Sequence, residues 1–316
     1  MNDDLIPKCE VIPLPGHQMS FRIDGNEVTR WHYGQEYPRP FFYPLIGPSG
    51  ETLTRMGHPG ASNHDHHRSV WFAHHKLMGI DFWSENTQAT IRQTMWFVIN
   101  DGETATYACE LGWFDGHDPQ PLVRQELIVT LTPLGSEEDG RPEYTLDLQS
   151  TFRPTADQIE YQQSHYGFFA VRVAKSIAEH FGGGRLTGAS GATGEPDLFG
   201  KPNAWMDYTG PVVLDGESER TTTREGVTYF DHPQNPTYPA KWHVRADGWM
   251  GASGCRDEGL ETTRMEPLRL RYLLHIHQGE VDPAQAEKIA SEWAQRPMQT
   301  VTRSKQPHQQ YEIVNL

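Results

Sequence analysis

The side chains best suited to chemistry lie in one histidine-rich segment, GHPGASNHDHHRSVWFAHH, at positions 57–75. It holds six of the sixteen histidines in the chain. Histidine titrates near neutral pH and is the commonest metal ligand in proteins. If positions 64–67 form a strand, His64 and His66 share one face, with Cα atoms about 6.6–6.8 Å apart. Two imidazoles placed in this way could bind one divalent metal ion or contact one substrate.

The same segment offers candidate acid–base groups and a candidate substrate-binding group. His66 and His67 are candidate acid–base groups, and Arg68 is a candidate substrate-binding group. On a strand, Arg68 would share the face of His64, and His67 would lie on the opposite face. The glycines around these residues are instead typical of a loop, in which solvated histidines need no ligand. Both interpretations stay open at this point.

His165 and Arg172 mark a second region in which chemistry is plausible. His165 directly precedes an apolar strand, and a rim histidine of this kind can act as a general acid or base. It could equally cap a turn. Arg172 lies within the strand, where a charged group must reach solvent, pair with a carboxylate or line a cleft. A cleft position would suit recognition of a substrate hydroxyl or carboxylate.

The third candidate region is the proline-rich segment from Phe230 to Arg245. Asp231 is the preferred catalytic carboxylate base, and His232 and His243 are candidate substrate-binding groups. Proline restricts the backbone and suits a preorganised site. The alternative is a turn in which Asp231 only accepts hydrogen bonds from backbone N–H groups. We expect this segment to meet the histidine-rich segment in space, since neither alone offers a full acid–base set.

Composition narrows the classes of protein. The formal net charge is −15, which disfavours binding to nucleic acid. The three cysteines have no metal-binding or redox spacing, and no segment has the roughly 20 apolar residues of a membrane helix. The N-terminal residues lack the pattern of a signal peptide. These features predict a cytoplasmic protein without a membrane partner.

Short runs with period-two alternation recur along most of the chain and predict strands. In one of them, Tyr144, Leu146 and Leu148 alternate with polar residues. We therefore predict an all-β fold, a large antiparallel β-sandwich of more than a dozen strands. The glycine-rich residues 179–210 are interpreted as a long loop.

A helical pattern is clear only near the C-terminus. Asp282 is a typical N-cap, Pro283 suits the first helical position, and good helix formers follow. We predict that residues 1–280 form a single sandwich domain, and that residues 281–316 form one short C-terminal helix and a tail packed on it.

Four segments resemble a bacterial family known as methane oxygenase PmoA-like. They are RPFFYPLIGPSG, GHPGASNHDHHRSVWFAHHKLMGIDFW, FDHPQNPTYPAKWHVR and LRLRYLLHIHQGE, which span about residues 39 to 279. The family name implies a metal-dependent oxygenase. The histidine-rich motif is the most specific part of the likeness.

The strand-rich plan is also similar to the sandwich of aldose epimerases, the galactose mutarotase-like fold. Those enzymes hold sugar hydroxyls with an early Arg and His, and they use a central His as acid and a late carboxylate as base. By order along the chain, the resemblance implies that Arg68 with His66 or His67 forms the early pair. It implies that His165 is the central acid. The late carboxylate has no clear match.

The sequence thus predicts a carbohydrate-processing enzyme, of the lyase, hydrolase or epimerase class, with His, Asp and Arg acid–base chemistry. One divalent metal at His64 and His66 could assist it. A non-catalytic carbohydrate-binding protein and a metal-dependent oxygenase are the alternatives. The expected partner is a small carbohydrate or a sugar derivative.

Overall fold

Two eight-stranded sheets form the body of the protein, and the strands are numbered here in chain order. The computed structural model describes residues 6–58, 60–61, 64–135, 141–215 and 220–316. The first sheet consists, in spatial order, of β1 (Cys9–Leu14), β2 (Gln18–Ile23), β3 (Asn26–His32), β4 (Phe41–Leu45), β5 (Val70–His74), β11 (Gly167–Arg172), β16 (Trp249–Ser253) and β15 (Lys241–Arg245).

The second sheet consists, in spatial order, of β12 (Arg185–Gly188), β13 (Trp205–Asp215), β14 (Arg220–Asp231), β18 (Leu268–Gln278), β9 (Glu143–Pro154), β8 (Val123–Leu134), β7 (Ala105–Phe114) and β6 (Thr90–Asn100). Neighbouring strands in both sheets are antiparallel. Two small antiparallel pairs complete the described strands, β10 (Gln158–Tyr161) with β17 (Leu260–Thr263) and β19 (Gln299–Arg303) with β20 (Tyr311–Asn315). The prediction of an all-β antiparallel sandwich with a short C-terminal helix is confirmed.

The main core lies between the two sheets and follows the period-two alternation of the strands. Phe169 of β11 stacks on Tyr272 of β18, with ring centroids 5.3 Å apart. In β5, Val70 and Phe72 belong to this core, whereas Trp71 faces outward into a second apolar cluster. All five residues of β5 are buried. The first sheet is therefore covered on its outer face as well.

The outer face of the second sheet is covered by the C-terminal part of the chain. Helix α3 (Pro283–Ala294) begins after Asp282, whose carboxylate accepts a hydrogen bond from the backbone N–H of Ala284 at 2.9 Å. Its Trp293 is buried against this face, in a cluster with Trp205 of β13. The β19–β20 hairpin packs beside it on side chains of β6, β7 and β8. None of the described helices is both long and apolar enough to cross a membrane.

The glycine-rich residues 179–210 do not form one long loop, so that interpretation is wrong. They contain α1 (Glu179–Gly182), β12, α2 (Glu195–Leu198) and the start of β13. Some of the glycines permit close packing of the backbone. A Cβ atom at Gly184 would overlap the carbonyl oxygen of Ile177. The same residue type that indicates a loop is thus needed here for contact between elements.

Candidate functional site

The outer face of the first sheet carries most of the predicted site residues. Ala170 of β11 lies between Trp71 of β5 and Gly251 of β16 in the hydrogen-bonded register. Two residues further along β11, and on the same face, Arg172 lies opposite Trp249. Because the side chains at the centre are small, space remains on this face between the bulky residues around them.

Four aromatic side chains, here called the aromatic wall, surround this space: Trp71, Trp83, Tyr166 and Trp249. The ring centroids of Trp83 lie 5.4 Å from Trp71, 5.0 Å from Tyr166 and 5.7 Å from Trp249. The indole N–H groups of Trp71 and Trp249 are buried and have no acceptor among the described residues. The wall therefore combines apolar ring faces with two hydrogen-bond donors.

The described residues between positions 57 and 68 (57–58, 60–61 and 64–68), here called the histidine-rich loop, cover one side of this space. Turn hydrogen bonds join the N–H of His64 to the carbonyl of Ala61, and the N–H of His67 to the carbonyl of His64. Gly57 and Gly60 adopt left-handed φ values of 66° and 74°. The loop interpretation is correct and the strand interpretation is wrong, because these glycines turn the chain where a strand must stay extended.

The three imidazoles of this loop cluster together and do not lie on alternate faces. The ring centroid of His67 lies 5.0 Å from that of His64 and 4.5 Å from that of His66. His67 also stacks on Trp71 at 5.5 Å. Burial, followed by the charges of His66 and Arg172, lowers the pKa of His67 far below its ordinary value. His67 is therefore neutral at physiological pH.

His64 is less buried than His67, yet its pKa is also lowered. Desolvation, then the charges of His58 and Arg172, lower the pKa of His64. Its Nδ1 and the Nδ1 of His67 are buried and lack hydrogen-bond partners among the described residues. Neutral imidazoles with such atoms can donate to or accept from a polar ligand.

The predicted metal site gains no third ligand from the part of the chain that the structure describes. The rings of His64 and His66 lie 6.1 Å apart. Among the described residues, no group of three or more His, Cys, Asp and Glu side chains is arranged to hold a metal ion. Catalytic zinc sites ordinarily have three protein ligands. Metal binding by His64 and His66 therefore stays a prediction.

Two clefts open beside the histidine-rich loop. The inner cleft has a volume of about 170 Å³ and is lined by His64, His66, His67, Trp83, Ser84, Tyr166 and Trp249. The outer cleft has a volume of about 370 Å³ and is lined by His58, His180, Phe181, Glu195, Arg245, Ala246 and Asp247. The ring centroids of His58 and His64 lie 5.5 Å apart, so the two clefts adjoin at these residues.

Asp247 joins the charged groups at this junction. Its Oδ1 accepts a hydrogen bond from Nη1 of Arg172 at 2.7 Å, and its Oδ2 lies 3.1 Å from Nε2 of His58. Burial alone would raise the pKa of Asp247, but the hydrogen bond and the charge of Arg172 lower it below its usual value. Asp247 is therefore ionised at neutral pH and can orient the imidazole of His58.

Residues 18–291 match the sequence profile of a family of unknown function, DUF6807. The chain belongs to this family. No curated protein matches the chain. The matched range includes every residue that lines the two clefts, so both clefts lie within the part of this DUF6807 protein that defines the family.

The structure brings several predicted residues to the clefts. His64, His66 and His67 line the inner cleft, and Arg172 holds Asp247 of the outer cleft. His243 reaches the same face and stacks on Trp249 at 4.5 Å. The Phe230–Arg245 segment meets the histidine-rich loop at Arg245, which lines the outer cleft together with His58.

His243 and His165 are connected to each other at the edge of the aromatic wall. Nδ1 of His243 bonds to the backbone carbonyl of His165 at 3.1 Å. Burial lowers the pKa of His243 to about 4, so its ring is neutral at physiological pH. The side chain of His165 is exposed. Its backbone oxygen, which also accepts from Ser253, is the part that organises the rim.

Arg68 is engaged elsewhere than at the clefts. Its Nε and Nη2 bond to the two carboxylate oxygens of Glu85 at 2.9 and 2.6 Å, and its guanidinium lies over the ring of Tyr37. The role of Arg68 in binding substrate stays a prediction, and its Nε–Nη2 edge is already bonded to the two oxygens of Glu85. Arg68 anchors the end of the histidine-rich loop.

Asp231 and His232 lie at the end of β14 in the second sheet. The carboxylate of Asp231 accepts hydrogen bonds from Nδ2 of Asn235 at 2.6 Å and from the N–H of Ala240 at 2.8 Å. Burial raises the pKa of Asp231 to about 6. The ring of His232 packs against Trp293. This geometry matches the alternative in which Asp231 holds a turn, and it offers no support for a catalytic base there.

Sequence reasoning missed the central carboxylate, Asp247. It lies in the Ala-Asp-Gly turn between β15 and β16, and an Asp-Gly pair is a common hairpin turn signal. A turn already accounts for an Asp at this position, so the turn signal offered no reason to predict that Asp247 belongs to the site. The only pointer was the neighbouring sequence, in which Arg245 and Trp249 flank the turn.

Proposed function

We propose that this protein is an enzyme that binds a carbohydrate in the two clefts and uses His58 with Asp247 for proton transfer. The observation that carries the proposal is the imidazole–carboxylate pair at 3.1 Å, located where the two clefts adjoin and beside the aromatic wall. A lyase, hydrolase or epimerase reaction fits this set of groups. Each of these reactions moves a proton to or from an oxygen or a carbon of the sugar.

The aromatic wall supports a sugar as the ligand. Sugar rings have apolar faces of C–H groups and edges of hydroxyl groups, and aromatic side chains with polar ends match both. Trp83, Trp249 and Tyr166 line the inner cleft. The buried indole N–H of Trp249 has no acceptor among the described residues, and a sugar hydroxyl would supply one. A buried donor without a partner costs stability, so binding would recover part of that cost.

The pairing of His58 with Asp247 supports catalysis beyond simple binding. A carboxylate that accepts a hydrogen bond from an imidazole fixes the ring and stabilises its protonated form during proton transfer. Arg172 keeps Asp247 ionised for this task. His64, whose pKa is lowered mainly by burial, can bind a sugar hydroxyl next to it as a neutral donor or acceptor.

The first test is turnover in the variant His58→Gln. A panel of monosaccharides, disaccharides and aryl glycosides is incubated with the wild-type protein, and products are separated by chromatography. For any substrate found, we expect His58→Gln to lower turnover by roughly 10²–10⁴-fold, which is the usual contribution of one acid–base group. The dissociation constant for the same sugar, measured by calorimetry, should change by only a few fold.

The matched control is His117→Gln, which replaces an exposed loop histidine distant in sequence from both clefts. It should retain full activity. Equal turnover in His58→Gln and the wild type would contradict the catalytic role. Sugar binding without turnover in the wild type would favour the second candidate function, a carbohydrate-binding protein, which the aromatic wall alone could serve.

A further inference from the structure

Arg172 is a buried arginine that is only partly satisfied. Its side chain is inaccessible to solvent, and Nη1 donates to Oδ1 of Asp247 at 2.7 Å. Its Nε and Nη2 are buried and have no hydrogen-bond partner among the described residues. Buried polar groups are nearly always hydrogen-bonded, so each exception needs an explanation.

The unsatisfied atoms form the edge of the guanidinium that binds carboxylates. Nε and Nη2 of one arginine point in parallel and fit the two oxygens of one carboxylate. Among the described residues three other arginines use this edge, and Arg30 holds Glu27 through Nε and Nη2 at 3.1 and 2.8 Å. Arg68 holds Glu85 through Nε and Nη2, and Arg271 holds Asp147 through the same two atoms at 3.0 and 2.7 Å. Arg172 presents the same edge without a carboxylate.

The charge around Arg172 also favours an anion. Arg55 donates from Nε to the carbonyl of Val173 and from Nη2 to the backbone carbonyl of Asp247, and its Nη1 has no partner among the described residues. Burial, followed by the positive charge of Arg172, lowers the pKa of Arg55 to about 10. The carboxylate of Asp247 is bonded to Arg172, and its charge also acts on Arg55, which bonds only to the backbone oxygen of Asp247. An excess of buried positive charge is costly unless an anion balances it.

The Nε–Nη2 edge of Arg172 lies close to residues that line both clefts. Asp247 lines the outer cleft, and Trp249, the register partner of Arg172, lines the inner cleft. Arg172 also lies close enough to His64 and His67 to influence the titration of both. Because Nε and Nη2 are buried, a ligand at the junction reaches this edge only when a neighbouring side chain moves.

We propose that the substrate is an acidic sugar, such as a uronic or aldonic acid, whose carboxylate binds to the Nε–Nη2 edge of Arg172. This inference rests on the proposed function, because it assigns the substrate class to the same clefts. A pair of neutral hydroxyls could also accept from this edge. It would leave the excess positive charge of Arg55 and Arg172 unbalanced, and a carboxylate would balance it.

The test compares sugars that differ only in the acid group. Calorimetry measures the dissociation constants of D-glucuronate against D-glucose, and of D-galacturonate against D-galactose, at constant ionic strength. We expect at least one acid to bind tenfold or more tightly than its neutral partner. The Nε–H resonance of Arg172, observed by ¹⁵N NMR, should shift when that acid is added.

Variants locate the effect at Arg172. Arg172→Lys keeps a positive charge near Asp247 and removes the two-nitrogen edge, so it should lose at least tenfold in affinity for the acid. Arg55→Gln should lose a smaller part of the same preference, and it serves as the second test if Arg172→Lys fails to fold. The control is Arg124→Gln, an exposed arginine paired with Glu110 on the second sheet, which should bind as the wild type does.

The outcomes separate the two proposals. Equal binding of acid and neutral sugar, or an acid preference unchanged in Arg172→Lys and Arg55→Gln, would overturn the acidic-sugar inference and leave the proposed function intact. Absence of binding for all four sugars and for the wider panel of neutral sugars would overturn the proposed function, and the inference with it.

Discussion

Arg172 and Arg271 are both buried arginines in central strands, yet they lie on opposite outer faces of the sandwich. Every guanidinium nitrogen of Arg271 is hydrogen-bonded: Nε and Nη2 bind Asp147, and Nη1 donates to the backbone carbonyls of Arg296 and Pro297. The guanidinium of Arg172 makes one hydrogen bond among the described residues, to Asp247. The same side chain at the same depth thus serves as a stabilising group on one face and offers unfilled donors on the other.

The covering of the two faces explains this difference. Helix α3 and the β19–β20 hairpin cover the second sheet. The connection between them supplies the carbonyls of Arg296 and Pro297 to Arg271, and α3 supplies the Trp293 indole to Asp147. The first sheet is covered by the histidine-rich loop, which leaves two clefts beside it. A cleft of about 430 Å³ also lies beside Arg271 and Asp147, so the two faces differ in whether the buried arginine donors are satisfied and not in whether clefts are present.

The largest expected effect is on the free energy of unfolding, to which Arg271 should contribute more than Arg172. Arg271→Met should destabilise the protein by about 3–5 kcal/mol, because it leaves the buried carboxylate of Asp147 without its charge partner. Arg172→Met should cost less than half as much, since the carboxylate of Asp247 is 30% exposed and still pairs with His58. Urea unfolding at pH 7 measures both free energies. Equal losses would mean that the two faces are equivalent in energy.

The second expected effect concerns the independence of the two faces. Trp293→Ala removes a large buried side chain from the covered face and should cost about 3–5 kcal/mol. Amide resonances of the histidine-rich loop should keep their positions in NMR spectra below the unfolding temperature. The control is Trp96→Ala, whose side chain is half exposed on the edge strand β6 and should change stability by less than 1 kcal/mol or so. Large shifts in the loop would show that the faces are coupled.

The smallest expected effect is on the pH dependence of stability, to which one histidine on each face should contribute with opposite sign. Burial, then the charges of His66 and Arg172, lower the pKa of His67, so the unfolded chain binds more protons and stability falls as pH drops below about 6.5. On the covered face, burial opposes protonation of His277, but the nearby Asp207 carboxylate raises its pKa above 6.5. That pair contributes stability below pH 6.5, and the contribution is lost as pH rises through the raised pKa.

Single variants measure the sign of the pH dependence on each face. A difference of one bound proton between the folded and unfolded states changes stability by about 1.4 kcal/mol per pH unit. His67→Gln should flatten the loss of stability between pH 7 and pH 5. His277→Gln should lose more stability at pH 5.5 than at pH 8. Free energies of unfolding across this range provide the comparison, and slopes that change in the same direction for both variants would refute it.

Much of the fold follows from the sequence pattern, and part of the site follows as well. Period-two alternation in runs such as β9 predicted the strands, because one face of each strand must be apolar to form the core. Residues 179–210 escaped prediction, since Gly184 serves close backbone packing there and glycine alone cannot distinguish packing from a loop. The likeness to the methane oxygenase PmoA-like family and to galactose mutarotase-like enzymes stays a prediction.

The sequence by itself determined which residue types are available: a cluster of imidazoles, an arginine inside an apolar strand, and many aromatic rings. Tertiary structure alone decided which of them meet. Asp231 and Asp247 are both acidic residues in turn-forming segments, and only the pairing of β15 and β16 beside β11 brings Asp247 to Arg172 and His58. Convergence of groups far apart in sequence depends on sheet order and register, and these are set by long-range packing that local patterns do not encode.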